Sequence, residues 1–576
     1  MKKLENIQQN KLISSYGGVG SIIETNTNGA LLIKPYDEWP CFDENSRKRC
    51  VEVKDPRLLA YVKNAMGYPN LGQLISIPTP EFGDRISKYA PSANDRAKTV
   101  GAQIFPEWYY CPKCRRLKKL SVWREAWTLD DKFNDNEPAC FYCSEENKKG
   151  IHRHKLQQVR FVMADMLTGD LKDIPFDKLW ENSPSEKAWQ LSKNGISSEI
   201  YYKTTDNNDG LAGIYITTKI NGANRMIRLS QIDANYLIKP GRESRVSSRP
   251  PIAYKMAMRG SQSLYLPNIV RSLYIPSGND TTEVALTEDE MDIQEFRYLT
   301  EDSHYIEDRL VEPNLDLVAV RKSLQNLPKY ISRITALERL KETSVLLSYS
   351  RLAKSNERRT WYDVNGSCEQ PDMIPGSKKP FSNDALKNLT WMPAVEAYGE
   401  GILFELNLEN IDQTAWTVFV HTYCHIVMKE MEFQCGYPLT SLKEKIFVDQ
   451  DDNKAGFLIY TIAGSEGSYG GLIALTDDNR ICKLTERGTE RAKHCANDPI
   501  CIHEGDSHCF ACLDLPEISC TKFNKDLNRK IFLENFFPKV GIKQYSENMD
   551  VAYNSGSNII NDIDPDTGIK RGVNLA

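Results

Sequence analysis

Five cysteines near the C-terminal end of the chain constrain its fold more than any other feature. They fall within 26 residues, and they are Cys495, Cys501, Cys509, Cys512 and Cys520. Cys509 and Cys512 form a C-x2-C pair, whose two thiolates can reach one ion from a single tight turn, and four sulfurs at the corners of a tetrahedron suit Zn2+ best. Ordinary buried thiols are the alternative. Because scattered core cysteines rarely include a C-x2-C pair inside so dense a group, the pattern favours a metal site.

The spacing leaves the fourth ligand of this site open. Four ligands are needed and five cysteines are present. Cys501 and Cys520 each lie seven residues from the C-x2-C pair, and Cys495 is the most distant. We therefore predict a site formed by Cys501, Cys509, Cys512 and Cys520, with Cys495 as the alternative ligand. An iron–sulfur centre is chemically possible, but nothing nearby indicates electron transfer, so zinc is favoured.

A second set of cysteines predicts a zinc ribbon over residues 105–155. Its spacing is C-x2-C, 25 intervening residues, then C-x2-C, and its members are Cys111, Cys114, Cys140 and Cys143. Two such matched pairs clamp one ion between two tight turns. The sequence thus predicts two Zn2+ sites. Basic residues follow the first pair, at Arg115, Arg116, Lys118 and Lys119; they either contact nucleic-acid phosphates or form a solvated face.

Composition sets limits on the class of protein. The 576 residues are enough for three or four domains of about 150 residues each, and a net charge of −5 gives no overall electrostatic case for nucleic-acid binding, so any DNA surface must be local. The first residues, MKKLENIQQNKL, carry no apolar segment behind their lysines. No stretch approaches the roughly 18 apolar residues of a membrane span. We expect a cytoplasmic protein without membrane contact, whose 15 cysteines stay reduced.

The order of apolar patterns predicts a multidomain α+β protein. SIIET and ALLIK predict a β-hairpin, residues 317–349 show helix-period apolar residues interrupted by Pro328, and residues 391 onward begin with a strand followed by a helix over 414–437. The predicted segments are an N-terminal β-rich region (1–104), the zinc ribbon (105–155), a β-rich middle region (156–280), a helical region (281–390), an α/β zinc-binding domain (391–540) and a mobile tail (541–576).

Two tempting motifs are given structural interpretations. The glycines of Gly17-Gly18-Val19-Gly20 lead into a strand, whereas a phosphate-binding loop needs a helix N-terminus, so we predict a backbone turn. His421 and His425 lie at i and i+4 on one helix face, but Thr422 stands where a zinc protease needs glutamate. We predict that the two histidines are packed side chains and not a metal pair.

Several runs of sequence, taken in order, carry a family resemblance. They are SYGGVGSIIE, FPEWYYCPKC, RGSQSLYLPNIVRSLYIP, RLKETSVLLSYSRL, WMPAVEAYGEGI, HTYCHIVMKEMEFQCGYP, AGFLIYTIAGSEGSYGGL, CANDPIC, CFACLDLPEISC and FNKDLNR. Together they cover nearly the whole chain, and they resemble the DrmB family of the DISARM antiphage defence systems. The last five runs also resemble the zinc-binding C-terminal domain of MrfA-type helicases, which would correspond to residues 391–540.

This resemblance implies a function. It implies a non-catalytic partner of the helicase DrmA, within a complex that binds and remodels DNA. The zinc cysteines of the family map onto Cys509, Cys512, Cys520 and one of Cys501 or Cys495. The middle region, 156–280, lacks the further cysteines that family members often carry there, so we expect no metal in it.

Two other functions stay open from the sequence. A metal-dependent nuclease or hydrolase acting on foreign DNA could use His421, His425 and Glu466, and a lone zinc-ribbon protein could bind DNA without a partner. The non-enzymatic interpretation is favoured, because four thiolates leave no open position on zinc for water.

Overall fold

The computed structural model describes most of the chain. It describes residues 9–14, 17–25, 29–78, 92–128, 139–147, 150–165, 170–177, 199–205, 210–220, 223–232, 254–276, 287–351, 378–382, 384–435, 438–462, 470–503, 507–516 and 518–537. The predicted tail, 541–576, lies outside these residues.

The strands, numbered in chain order, are short in the first half of the chain and longer in the second half. They are β1 (Ile13–Ser14), β2 (Gly17–Gly18), β3 (Ile22–Thr25), β4 (Gly29–Ile33), β5 (Glu52–Val53), β6 (Gln73–Ser76), β7 (Ala102–Ile104), β8 (Trp108–Tyr110), β9 (Arg116–Lys119), β10 (Ala139–Asn147), β11 (Gly150–Lys155), β12 (Gln157–Gln158), β13 (Phe161–Asp165), β14 (Leu171–Lys172), β15 (Ile200–Thr204), β16 (Ile214–Ile220), β17 (Ala223–Arg228), β18 (Tyr254–Met258), β19 (Leu266–Leu273), β20 (Arg309–Glu312), β21 (Leu317–Arg321), β22 (Ile331–Ser350), β23 (Trp391–Leu406), β24 (Lys443–Asp449) and β25 (Lys454–Ile462).

The α-helices of the described residues are fewer. They are α1 (Glu44–Arg47), α2 (Pro56–Met66), α3 (Ala93–Arg96), α4 (Leu120–Thr128), α5 (Glu288–Thr300), α6 (Trp416–Cys435), α7 (Gly471–Ala474), α8 (Arg480–Arg491), α9 (Ile500–His503) and α10 (Arg529–Phe536). None of the helices in this part of the chain combines the length and the apolar character needed to cross a membrane. The mixture of sheets and helices confirms the α+β class.

The chain folds as two compact units. Unit 1 comprises Met1–Arg271, Glu283–Ala285 and Thr343–Glu396, and unit 2 comprises Ser272–Thr282, Leu286–Glu342 and Ala397–Ala576. This division is coarser than the six segments expected from the sequence, whose boundaries stay predictions.

Unit 1 is built from several small antiparallel sheets. A six-stranded sheet has the order β12-β8-β9-β15-β16-β17, and two three-stranded sheets have the orders β14-β13-β18 and β3-β4-β7. Strands β3 and β4 pair antiparallel from Ile22 opposite Leu32 to Thr25 opposite Gly29, which confirms the predicted hairpin. Strands β10 and β11 form a separate two-stranded sheet.

The glycine run before β3 is a backbone turn, as predicted. Gly18 and Gly20 have φ angles of 134° and 83°, in the region that favours glycine. A Cβ on Gly20 would lie 2.3 Å from the Tyr349 ring carbon Cζ, so the turn also permits close packing against that ring. The chain then enters β3 and not a helix, so the run lacks the helix N-terminus that cradles phosphates.

Unit 2 is organised around α6, which packs against β24, β25, α8 and α10. The helix is buried over most of its circumference, with Phe419, Tyr423 and Val427 fully inside. Burial of each large apolar side chain contributes about 1.5–3 kcal/mol. The helix over 414–437 and the strands that begin at residues 391 and 455 were predicted, and α6, β23 and β25 confirm them.

The predicted helical region, 281–390, is mostly wrong. Only α5 is an α-helix of the described residues there, and its start carries a capping box in which Thr287 and Glu290 exchange hydrogen bonds. Residues 317–349 instead form β21, a loop and the long β22. Every residue from Glu342 to Ser350 is buried. A strand buried on both faces is a continuous apolar run without a period of two, so periodicity could not separate it from a helix.

Strand β24 carries charged side chains on both of its faces. Successive side chains of a strand point in opposite directions, and here Lys445 meets α5 while its neighbour Glu444 meets α6. Lys445 Nζ lies 2.5 Å from Asp292 Oδ1 and 2.6 Å from Glu295 Oε2, and the lysine side chain is only 3% exposed. The lysine thus joins α5 to the sheet through two ion pairs.

A second ion pair joins α5 to the end of β24. Arg297 donates from Nε and Nη2 to the two carboxylate oxygens of Asp449, at 2.5 and 2.9 Å. These hydrogen bonds are the largest cause that lowers the pKa of Asp449 from its ordinary value of 3.8. Because the folded pKa lies below the unfolded one, the pair contributes stability above pH 3.8, and that contribution is lost as the pH falls through the folded pKa.

Asp449→Asn is therefore expected to lower the free energy of unfolding by about 1–2 kcal/mol at pH 7, with the deficit shrinking as the pH falls below about 4. Urea unfolding of both proteins at several pH values measures the difference. Asp451→Asn, which changes an exposed carboxylate nearby, should have little effect. A deficit that stayed constant from pH 7 to pH 3 would contradict the assigned pairing.

Candidate metal centres

The four cysteines of the predicted ribbon lie together in unit 1, and we call them the ribbon cluster: Cys111, Cys114, Cys140 and Cys143. Their sulfurs are within 4.8 Å of one another. The Sγ to Sγ distance is 3.4 Å for Cys111 and Cys143, 3.6 Å for Cys114 and Cys140, and 3.5 Å for Cys140 and Cys143. A zinc ion with four bonds of about 2.3 Å to sulfur would separate the sulfurs by about 3.8 Å, whereas a disulfide has a bond of about 2.05 Å. The spacing suits a metal cage.

The local fold explains the geometry of the ribbon cluster. The turn between β8 and β9 is closed by a hydrogen bond from Arg115 N to Cys111 O, at 2.9 Å, and the φ angle of Arg115 is 63°. Within the turn, Cys114 N donates to Cys111 Sγ at 3.5 Å. Such N–H donors stabilise thiolates, which are the form that binds metal. The predicted ligand set is thus brought together, and its occupation by zinc stays a prediction.

The basic residues of the ribbon are partly exposed and lie against aromatic rings. The Arg116 guanidinium is 4.6 Å from the centre of the Tyr142 ring, and its Nε is 3.3 Å from Glu199 Oε1. Lys118 Nζ donates to the Tyr142 hydroxyl at 2.8 Å, and Lys119 Nζ lies 5.6 Å from the centre of the Trp108 ring. Arg115 is also partly exposed. Their predicted contact with nucleic acid stays untested.

A second group of four cysteines forms in unit 2, and we call it the knuckle cluster: Cys495, Cys501, Cys509 and Cys512. The Sγ to Sγ distance is 3.4 Å for Cys495 and Cys509, 3.6 Å for Cys501 and Cys512, and 3.7 Å for Cys509 and Cys512. Cys509 N donates to Cys512 Sγ at 3.3 Å, as in the ribbon cluster. The structure therefore corrects the predicted set: Cys495 belongs to this group and Cys520 does not.

Two tight turns cause this exchange of ligands. The chain folds back after Cys495, because Cys495 N donates to Asp498 Oδ2 at 2.9 Å, and α9 then brings in Cys501. Cys520 is held away by Asn524, whose side chain bonds the backbone N–H and C=O of Leu515, each at 2.8 Å. Distance along the sequence was therefore a poor guide to distance in space.

A buried arginine lies beside the knuckle cluster. Arg529 has no exposed surface, donates to Asp498, and also donates from Nη1 to Ala492 O at 3.3 Å. Four thiolates around a divalent ion carry a net charge of −2, so a buried guanidinium nearby partly neutralises the site.

Cys520 lies in a third group, which we call the buried cluster: His421, His425, Glu444 and Cys520. Their ligand atoms are within 4.8 Å of one another, and all four residues are buried. His421 Nε2 is 3.1 Å from Glu444 Oε1 and 3.3 Å from Cys520 Sγ, and His425 Nε2 is 3.1 Å from Glu444 Oε2. The two histidines come from α6 and the carboxylate from β24. Sequence analysis missed Glu444, because the only signal was the histidine pair itself.

Burial governs the protonation of the cluster cysteines. It raises the pKa of Cys143 to about 11 and that of Cys501 to about 12. It acts in the same direction on Cys509, but hydrogen bonds from Cys495 and Asn497 outweigh it and lower the pKa of Cys509 to about 6. A metal ion must displace the remaining protons, so the metal affinity of both clusters falls as the pH falls.

Comparison with known proteins gives partial matches. The model of a family described as "Domain of unknown function (DUF8724)" matches residues 8–266, a stretch that contains the ribbon cluster. The chain is also similar to the "DISARM protein DrmB" of Bacillus paralicheniformis, with 29% identity over 253 residues. That match covers 36% of this chain and 42% of the relative, so the chain matches less than half of the relative's length.

A solved structure also matches in part. It is the "Crystal Structure of DUF1998 helicase MrfA bound to DNA", with 12% identity over 40% of this chain and 26% of the other. With a TM-score of 0.21, this overlap supports no argument about fold or function.

Proposed function

We propose that the chain is a non-catalytic zinc-binding subunit of an antiphage defence complex, which partners a DrmA-type helicase and supports its binding and remodelling of DNA. The observation that carries the proposal is the 29% identity to a DISARM protein over 253 residues. The cysteine clusters add the chemistry that such a subunit needs.

The ligand sets support a structural role for the metal. The ribbon cluster and the knuckle cluster each supply four sulfurs, which complete the tetrahedral coordination of zinc. An ion in such a site has no open position at which to activate water, so its binding free energy stabilises the fold. The alternative of a metal-dependent nuclease or hydrolase requires a coordination position that substrate and water can reach, and the histidines proposed for it, His421 and His425, are fully buried.

The ribbon offers the local DNA surface that a net charge of −5 requires. Phe141 and Tyr142 are 39% and 41% exposed, and the cationic groups of Arg116 and Lys118 lie over the Tyr142 ring. Exposed aromatic rings beside cations suit a single strand, because bases stack on the rings while the cations meet phosphates. We propose that this surface extends the DNA path of the helicase.

Co-expression with the helicase encoded beside it tests the partnership. We expect the two chains to co-elute in size-exclusion chromatography with zinc bound. Separate elution of two folded proteins would contradict the proposal. Cleavage of labelled DNA by the isolated chain with Mg2+ or Mn2+, lost in His421→Ala, would favour the nuclease.

Replacing Lys118 and Lys119 together by glutamine should weaken DNA binding by the complex and make its salt dependence shallower. The expected change in the slope of log affinity against log salt is about 2, or about 1 per lost phosphate contact. Fluorescence anisotropy of labelled single-stranded DNA at several salt concentrations measures it. The control replaces Lys54 and Lys63, two exposed lysines of unit 1, in the same way. Equal slopes for the two double variants would rule out the ribbon as the DNA surface.

A further inference from the structure

We propose that the buried cluster of His421, His425, Glu444 and Cys520 is a third metal site, which binds one Zn2+ in a closed, structural coordination shell. It differs from the two cysteine clusters in its donors, which are two nitrogens, one oxygen and one sulfur. This donor set is one that zinc accepts. The proposal replaces the packed-histidine interpretation that the sequence favoured.

The hydrogen bond at the far side of His425 carries the first step. His425 Nδ1 lies 2.9 Å from the carbonyl oxygen of Leu513. A carbonyl oxygen only accepts, so Nδ1 bears the proton and the neutral ring presents a bare lone pair at Nε2. Metal-binding histidines are commonly oriented in this way, by a hydrogen bond from the second ring nitrogen to a carbonyl.

The position of Glu444 carries the second step. Its Oε2 lies 3.1 Å from His425 Nε2, yet neither atom has a hydrogen-bond partner among the described residues, because their alignment does not suit a hydrogen bond. Two acceptor atoms that face one point from such a short distance repel each other unless a cation lies between them. Both side chains are fully buried, so water cannot relieve the repulsion.

The distances fit a metal shell. Nitrogen or oxygen ligands at about 2.0–2.1 Å from a tetrahedral zinc lie about 3.4 Å apart, and a nitrogen and a sulfur ligand lie about 3.6 Å apart. The corresponding distances here are 3.1 Å from each histidine Nε2 to a Glu444 oxygen and 3.3 Å from His421 Nε2 to Cys520 Sγ. They approach these values from below, as do the sulfur distances in the ribbon cluster.

The backbone holds the two anionic ligands as it holds the thiolates of the other clusters. Asn524 N donates to Cys520 Sγ at 3.1 Å, and Thr521 N donates to Glu444 Oε1 at 3.2 Å. These donors stabilise a thiolate and a carboxylate, and they orient both toward the histidines.

Charge also favours an ion in this place. One Zn2+ with a carboxylate, a thiolate and two neutral imidazoles has no net charge, which suits a site with no access to solvent. The same burial means that no substrate can reach the ion. The site would therefore tie α6, β24 and the segment around Cys520 into one folded body.

Metal analysis of the purified full-length chain, expressed with supplementary zinc, tests the proposal. We expect three zinc ions per chain, and two in Glu444→Gln and in Cys520→Ser. The matched control is Glu342→Gln, which neutralises another fully buried carboxylate of unit 2, one that bonds Lys443 and Tyr460, and should retain three. Three zinc ions in both test variants would overturn the proposal.

Zinc X-ray absorption of the wild-type chain decides the matter even if the variants fail to fold. Filling all three sites gives an average of three sulfurs and one nitrogen or oxygen per zinc, whereas the two cysteine clusters alone give four sulfurs. A spectrum with sulfur ligands only, together with two zinc ions per chain, would show that the buried cluster binds no metal.

Discussion

Replacing Cys509 with serine is expected to release the ion of the knuckle cluster and to unfold much of unit 2. A serine hydroxyl is a far weaker zinc ligand than a thiolate, and the three remaining sulfurs would face one another without a cation. Structural zinc contributes about 10–16 kcal/mol of apparent binding free energy in zinc-finger peptides. Because a whole domain is stable by only about 5–15 kcal/mol, the loss is comparable with the total stability. Metal analysis should show one zinc ion fewer, and thermal unfolding should show a lost or strongly lowered transition.

Cys482→Ala is the matched control for this experiment. Cys482 is a buried cysteine of α8 in the same unit, outside the three clusters. Its removal should cost about 1 kcal/mol and no metal. If Cys509→Ser kept the full zinc content and the wild-type melting temperature, the knuckle cluster would not be a metal site.

Lys445→Met is expected to lower the free energy of unfolding by about 3–5 kcal/mol. Methionine matches the length of the lysine but leaves Asp292 and Glu295 beside each other without their cation, and Glu295 has no exposed surface. Removal of one partner of a buried ion pair costs more than removal of the whole pair, because an uncompensated charge stays inside. Urea unfolding at pH 7 measures the loss.

A triple variant separates burial from charge. In Lys445→Met with Asp292→Asn and Glu295→Gln, the side chains keep their size and the charges disappear. The amide oxygen of the new glutamine could still accept from Leu273 N, as the Glu295 carboxylate does at 2.8 Å. We expect this variant to regain most of the stability that the single variant loses. A single variant as stable as the wild type would mean that the lysine does not neutralise these carboxylates.

Local sequence signals predicted the parts of the fold that depend on neighbouring residues. The ribbon cluster was foreseen because each of its two C-x2-C pairs is a tight turn and the pairs match. The β3–β4 hairpin and α6 were foreseen for the same reason, since turn residues and apolar periodicity act over a few positions.

Signals that depend on tertiary structure were missed. The choice between Cys495 and Cys520 was decided by side chains that the spacing does not reveal: Asp498 folds one cysteine back and Asn524 holds the other away. Glu444 was invisible because its partners on α6 lie about twenty residues earlier, and a charged residue in KEKIFVD is typical of a solvated strand face. Both faces of β24 are in fact covered, so this strand carries buried charge on each side.

The hydrogen bond between His425 and Leu513 has a mechanical consequence, because Leu513 directly follows Cys512. The residue that orients an imidazole on α6 is therefore covalently attached to a sulfur donor of the neighbouring knuckle. A shift of α6 by even a fraction of an ångström pulls on that donor, so strain at either centre is transmitted to the other through a single peptide unit. Chelators should accordingly strip the two centres of unit 2 in concert, while the ribbon empties on its own schedule.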